Sequence, residues 1–370
     1  MSDNLPTVWP ADPHTLAKHK ILDRYLKAWM AILSSRANLV QDSKRILYID
    51  GFAGPGIYEG RQPGSPIIAL RAALEHDRQF PVPVRFLFVE YDKDRYESLQ
   101  QEVDKLRPRF STSKNVEDAV IKHGDCTSVL TPIVDKPIGK GKFGPAMVFL
   151  DQFGWSQIPI TLIEKILHWP QCEVFSYLNW DHLNHWMEDP AKTEGISKAF
   201  GSEVWKQAFG MDVVSRRGFI LNEYKQALTR AGAKWVLDFA MFGDQDQLLY
   251  WLFFCTNNLR GLEEMKKAMW KVDESGGYKF ADRDDPNQLL LLSTFSQQWL
   301  ALELKRRLKG QTLTLTDLSE FVLVETPCYL WRDAVKMLEK ENSAHPVNSP
   351  IGRKPLTYPP QFMHMSMRFD

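Results

Sequence analysis

The chain has 370 residues, with 46 Lys and Arg balanced by 46 Asp and Glu, and 44% of its residues are hydrophobic. That apolar fraction excludes a chain that is disordered throughout. Zero net charge excludes a global basic field that would draw the protein onto nucleic acid or anionic lipid, so any such binding needs a local patch.

The length suggests about two or three domains. Residues 1–43 read as an N-terminal helical segment, with Leu16, Ile21, Leu22, Tyr25, Leu26, Trp29 and Leu33 at helical spacing. Residues 44–285 read as one α/β domain. Its strands are expected at Lys44–Asp50, Val84–Glu90, Ala119–His123, Ala146–Asp151, Glu173–Leu178, Lys234–Phe242 and Leu248–Cys255. The intervening helices are expected at Ser65–Asp77, Asp94–Leu106 and Ile160–Leu167. Strands that are apolar throughout and alternate with helices imply a doubly wound parallel sheet, and the short gap before Leu248 implies an antiparallel last pair. A Trp- and His-rich stretch, about 181–223, interrupts the sheet as a helical insertion. Residues 286–370 change pattern: helices at Leu289–Lys309, Thr316–Val324 and Cys328–Glu341 precede a Pro-rich tail, which is compatible with a winged-helix-like domain.

Cys126, Cys172, Cys255 and Cys328 are scattered with no C-x-x-C pair, which argues against a disulfide framework or structural zinc and fits a cytoplasmic setting. The chain shows no signal-peptide core and no apolar run near the ~20 residues of a membrane helix, so no membrane association is expected.

The strongest local signal is Asp50-Gly51-Phe52-Ala53-Gly54-Pro55-Gly56, between a strand and a helix. Glycines there permit a sharp turn and the close approach of a ligand. Glu90 ends the next strand, where a carboxylate suits a ribose diol, and Tyr91 follows it. Asp125 and Cys126 follow the third strand. Asp151, Gln152 and Phe153 follow the fourth, at the strand ends where α/β sheets bind ligands, so Asp151 is a candidate for both cofactor contact and catalysis. His182 and His185 lack a third metal ligand in pattern, and Asp282, Asp284 and Asp285 read as a solvated turn, so no metal site is expected. The basic run Lys305, Arg306, Arg307 and Lys309 suits either phosphates or a helix C-terminus.

The glycine loop resembles motif I of S-adenosylmethionine (SAM) methyltransferases, and five βα units followed by an antiparallel pair resemble their Rossmann-like, seven-stranded sheet. More specifically, KHKILDRYLKAWM, YIDGFAGPGIYEGRQPGSPIIAL, FLFVEYD, FLDQFGW and FFCTNNLRGLEEMKKAMWKVD resemble the prokaryotic three-Cys-motif partner (TcmP) family. That resemblance implies SAM as cofactor, held by residues 50–56, with Glu90 on its ribose, Tyr91 near its adenine, Asp125 and Cys126 at the adenine side, and Asp151 at the transfer site. It implies catalytic roles for Asp151, Gln152 and Phe153, although the family usually has Pro where Gln152 stands. It also implies a partner bearing three cysteines, a radical-SAM or phage-like protein. The expected function is a SAM-dependent methyltransferase with a nucleic-acid acceptor, DNA or RNA binding through the C-terminal domain. The alternatives are a catalytically degenerate partner protein and, more weakly, a metal-dependent nuclease.

Overall fold

The computed structural model describes residues 6–37, 44–135, 145–152, 158–243, 247–273, 279–281 and 295–370. It divides into two compact units, Met1–Glu264 with Phe280–Asp284, and Met265–Lys279 with Asp285–Asp370.

The first unit is built on a sheet whose strands are β1 (Ile46–Asp50), β2 (Val84–Glu90), β3 (Val116–His123), β4 (Ala146–Leu150), β5 (Cys172–Asn179), β6 (Trp235–Phe242), β7 (Leu248–Thr256) and a short β8 (Lys279–Ala281). Their order is β3-β2-β1-β4-β5-β7-β6-β8. Strands β3 to β5 run parallel through the first five positions, while β7 lies antiparallel between β5 and β6. The seven expected strands are present, with the antiparallel final pair, and β8 adds an eighth at the β6 edge. Every residue of β4 is buried, because helices cover both faces of a central parallel strand. The third strand begins three residues earlier than expected. It lies at the sheet edge, where Glu117 and Lys122 stay exposed and dilute its apolar pattern.

Helix α1 (Pro13–Ala37) buries Ile21, Leu22, Tyr25, Leu26 and Met30 and packs against α2 (Ser65–Leu74). Asp92 caps α3 (Lys93–Asp104) by accepting from Arg95 N at 3.0 Å. The short α4 (Phe110–Ser113) precedes β3, and α5 (Cys126–Val134) and α6 (Ile160–Leu167) flank β4. Between β5 and β6 stand α7 (Trp180–Trp186), α8 (Thr193–Phe200) and α9 (Val213–Arg230). They close around the fully buried Trp205 and Phe200 in the core beneath β5 and β7. Helix α10 (Leu259–Trp270) follows β7.

At the far end of β5 from the glycine loop, Glu173 is fully enclosed. It accepts from Tyr25 Oη at 2.5 Å and from Thr256 Oγ1 at 2.6 Å, which joins α1, β5 and β7. A Cβ on Gly261 would stand 2.2 Å from Glu173 Oε1, so the glycine of TNNLRGLEE makes room for this carboxyl. Asn258 starts α10 by accepting from Arg260 N at 2.9 Å. This segment is thus a structural joint.

The second unit contains α11 (Gln297–Arg307), β9 (Thr312–Thr314), α12 (Leu315–Glu325), α13 (Trp331–Lys340), β10 (Ala344–Pro346) and β11 (Ser366–Phe369). Its antiparallel sheet has the order β10-β11-β9. Trp331, Leu304, Leu318, Val335 and Phe369 fill its core. The chain from β10 to β11 is stapled to α13: Arg353 binds Glu339 through both nitrogens, at 3.1 and 2.7 Å, and Tyr358 Oη also donates to Glu339. The expected helix Leu289–Lys309 is described only as Gln297–Arg307; residues 289–294 lie outside the described residues.

Candidate functional site

The strand order reverses between β1 and β4, which opens a crevice beyond their carboxyl ends. The loop leaving β1 is pinned on every side. Gly51 N donates to Phe149 O at 2.9 Å, Ala53 N to Val89 O at 2.9 Å, and Gly64 N to Gly56 O at 2.8 Å. Asp50 is buried and accepts from Ser65 Oγ at 2.6 Å and Phe52 N at 3.2 Å. Burial pushes its carboxyl up to about 7 against those two hydrogen bonds, and Asp151 and Glu90 push in the same direction.

The glycines differ in purpose. Gly54 and Gly56 hold φ of +64° and +79°, which side-chain-bearing residues adopt at a cost. A Cβ on Gly54 would meet nothing within 4 Å, so this turn leaves open space on the crevice. At Gly51 a Cβ would stand 2.5 Å from Cys126 Sγ and 3.0 Å from Leu150 Cδ2. Gly51 therefore serves close packing between β1, β4 and α5. A Gly51→Ala substitution is expected to destabilise the fold by about 1–3 kcal/mol through overpacking. In a Cys126→Ala background, where the sulfur is gone, the same change should cost less, which a double-mutant cycle of urea unfolding would read.

Glu90 is buried at the end of β2. Its Oε2 accepts from Gly54 N at 2.7 Å and its Oε1 from Asp92 N at 2.8 Å. Burial raises its carboxyl above the usual range, and those two backbone donors oppose the rise. The acid thus ties the glycine loop to the turn after β2, a role not read from the sequence. Tyr91 is 77% exposed, and its carbonyl is held by His123 Nε2 at 2.9 Å. Asp125 is exposed and caps α5, accepting from Ser128 N at 2.8 Å and Ser128 Oγ at 3.0 Å. The Cys126 side chain is buried under Gly51 rather than facing the crevice, and burial pushes its thiol well above the ordinary range.

Asp151 leaves β4 into the crevice and pairs with Lys18 of α1. Gln152 is buried beside it. Its Oε1 accepts from Ile158 N at 3.0 Å and its Nε2 donates to Tyr177 O at 3.5 Å, so its amide is engaged on both sides. Phe153 lies outside the described residues, as do Asp282, Asp284 and Asp285.

These elements enclose a cavity of about 170 Å³, lined by Phe52–Gly56, Asp151 and Gln152 as expected, and also by Trp9, His14, Lys18, Tyr58, Tyr177 and Tyr250. Glu90, Tyr91, Asp125 and Cys126 do not line it. The chain ahead of α1 crosses its mouth. Trp9 O accepts from Glu59 N at 3.0 Å, the Trp9 ring meets Tyr58 edge-on at 5.6 Å, and the Arg95 guanidinium lies 4.8 Å over it. His14 packs on Tyr250 at 5.6 Å. The N-terminal segment is thus part of the site, which the sequence reading missed. A signal was present: Lys18 falls in register with Ile21, Leu22, Tyr25 and Leu26 on the apolar stripe of α1.

Elsewhere, His182 and His185 are exposed on α7. Among the described residues no group of three or more His, Cys, Asp or Glu is placed to hold a metal ion. Three members of the basic run are engaged by their own unit: Lys305 donates to Ser343 Oγ at 2.9 Å, Arg306 pairs with Glu303, and Arg307 donates to Glu325 O at 3.3 Å, while Lys309 is exposed. No helix among the described residues is long and apolar enough to cross a membrane.

No family model matches the chain, and neither does any curated protein sequence. Similar solved structures include one described as a methyltransferase from Porphyromonas gingivalis W83, at 10% identity and TM-score 0.24, over 62% of this chain and 40% of that one. The precorrin-6y C5,15-methyltransferase of Geobacter metallireducens GS-15 matches at 10% identity and TM-score 0.26, over 62% of this chain and 87% of that one. A third, described as a class I SAM-dependent methyltransferase from Listeria monocytogenes, matches at 8% identity and TM-score 0.30, over 62% and 60%. The chain thus spans well under half the length of the first of these.

Proposed function

We propose that this chain is a cytoplasmic SAM-dependent methyltransferase of the three-Cys-motif partner type. The observation that carries the reading is the cradle at Gly54. Its left-handed backbone opens free space on a crevice at the switch point, its N–H is fixed by Glu90, and Asp151 lines the same cavity. Such a cradle suits a ligand that must lie close along the backbone. Residues 52–56 would hold the methionine part of SAM, Glu90 would act on the ribose side through the Gly54 N–H that it fixes, and Tyr91 and Asp125, outside that cavity, would flank the adenine on the open side. When bound, SAM supplies an electrophilic methyl group. The chain's own residues position the acceptor and exclude water, which is what in-line transfer asks of a protein. Asp151, Tyr177 and Tyr250 line that end of the cavity.

The element order α11-β9-α12-α13-β10-β11, with the sheet order β10-β11-β9, supports a winged-helix reading of the second unit. The exposed Lys336 and Lys340 of α13 are then candidate phosphate contacts, in place of the engaged Lys305, Arg306 and Arg307. Nucleic acid is therefore the proposed acceptor, with a three-cysteine protein as partner. A degenerate, non-catalytic version of the fold is favoured by one observation: the Gln152 amide is already engaged by Ile158 N and Tyr177 O. Incubation with methyl-labelled SAM and mixed DNA and RNA tests the choice. Label in the nucleic-acid fraction is the expected outcome; bound SAM without transfer to any acceptor would favour the degenerate partner.

A further inference from the structure

The pairing of Lys18 with Asp151 has the marks of a built feature. The two residues are 133 positions apart, and their side chains are only 8% and 22% exposed. Lys18 reaches the crevice because the apolar stripe of α1 turns it inward; its ammonium lies 5.9 Å from the Tyr250 ring centroid. A half-enclosed, aromatic-lined cavity screens charge poorly, so each member of the pair is felt strongly by whatever enters.

The inference rests on the SAM reading above. SAM carries an ammonium, a carboxylate and a sulfonium, and so has one net positive charge. In transfer, the acceptor's lone pair forms the new bond to the methyl carbon, the C–S bond breaks, and its electron pair returns to sulfur. The positive charge passes to the acceptor atom and is lost with the acceptor's proton to solvent. The product, S-adenosylhomocysteine, is a neutral thioether of nearly the same shape. A site that presented Asp151 unpaired would favour the cation and repay it with slow methyl transfer; one that presented Lys18 unpaired would repel it.

We infer that Lys18, contributed by the N-terminal helix, is a specificity-determining residue that neutralises Asp151 and so sets the balance between the cationic cofactor and its neutral product. A plain packing role would give different behaviour, because a buried ion pair replaced as a unit is often neutral for stability and indifferent to ligand charge.

The test is calorimetric titration of the full chain at pH 8 with SAM and with S-adenosylhomocysteine, and the readout is the ratio of the two dissociation constants. Lys18→Met is expected to move the ratio about tenfold toward SAM, as an unpaired carboxylate would. Asp151→Asn is expected to move it about tenfold the other way, and the Lys18→Met/Asp151→Asn double variant to return near the wild-type ratio. Should Lys18→Met fail to fold, the other two variants still decide. Equal shifts for both ligands, with an unchanged ratio, would overturn the inference while leaving the SAM site standing. A wild-type chain that binds neither ligand would overturn both.

Discussion

Replacing Glu90 with Ala is expected to weaken SAM binding by about a hundredfold or more and to lower stability as well. The carboxylate accepts from Gly54 N at 2.7 Å and from Asp92 N at 2.8 Å. Hydrogen bonds to a charged group contribute about 1.5–3 kcal/mol each, and each 1.4 kcal/mol is about tenfold in affinity. The loss reaches ligand binding because Gly54 is the wall of the cavity and is held in a left-handed turn that the chain does not favour unaided. Glu90→Gln retains an acceptor oxygen for one of the two amides and should lie between. Calorimetry beside circular dichroism checks the pair. Unchanged affinity in a folded Glu90→Ala protein would mean that the loop needs no tether.

The second large effect is on stability. Glu173→Ala removes the shared acceptor of Tyr25 and Thr256 deep in the first unit. It leaves the buried Tyr25 hydroxyl without its acceptor, leaves Thr256 Oγ1 only its contacts with Asn258, and opens a void, and should cost about 3 kcal/mol in urea unfolding. The same carboxyl also gives an unusual pH dependence. Burial raises Glu173 from 4.5 to about 7 and Asp50 from 3.8 to about 7, against hydrogen bonds that favour ionisation. Both pKa values lie above those of the unfolded chain, so between about 4 and 7 the folded protein binds more protons than the unfolded one. Their stabilisation is complete below the unfolded values and is lost as pH rises through about 7. Burial lowers His19 from 6.5 to about 3, which acts the other way below about 6.5, so the effect is read as a difference: from pH 5 to pH 8 the melting temperature of Glu173→Gln, which cannot ionise at this position, should fall less than that of the wild type. A slope unaffected by Glu173→Gln would show that this carboxyl is already ionised at pH 5.

The sheet was legible because burial on both faces leaves a plain mark: FLFV within β2 and AMVFL in β4 have no polar residue to confuse them. The glycine loop was legible as a turn, yet its pattern alone did not separate Gly54, which faces open space, from Gly51, which packs on Cys126. Cys126 was read as ligand-facing because of its place after β3, but its side chain packs under Gly51, a contact with a residue far along the chain. Gln152 does line the cavity, while its amide also serves Ile158 N and Tyr177 O. The role of the N-terminal segment was hidden for the same reason. Trp9, His14 and Lys18 meet the crevice only once α1 has folded across the sheet, and only the misplaced charge of Lys18 on an apolar stripe announced it.

The central claim is that the crevice between β1 and β4 holds SAM. Calorimetric titration of the wild-type chain with SAM tests it most directly. Saturable one-to-one binding is expected, and Glu90→Ala should nearly abolish it. A folded wild-type chain that takes up no SAM at millimolar concentration would contradict it.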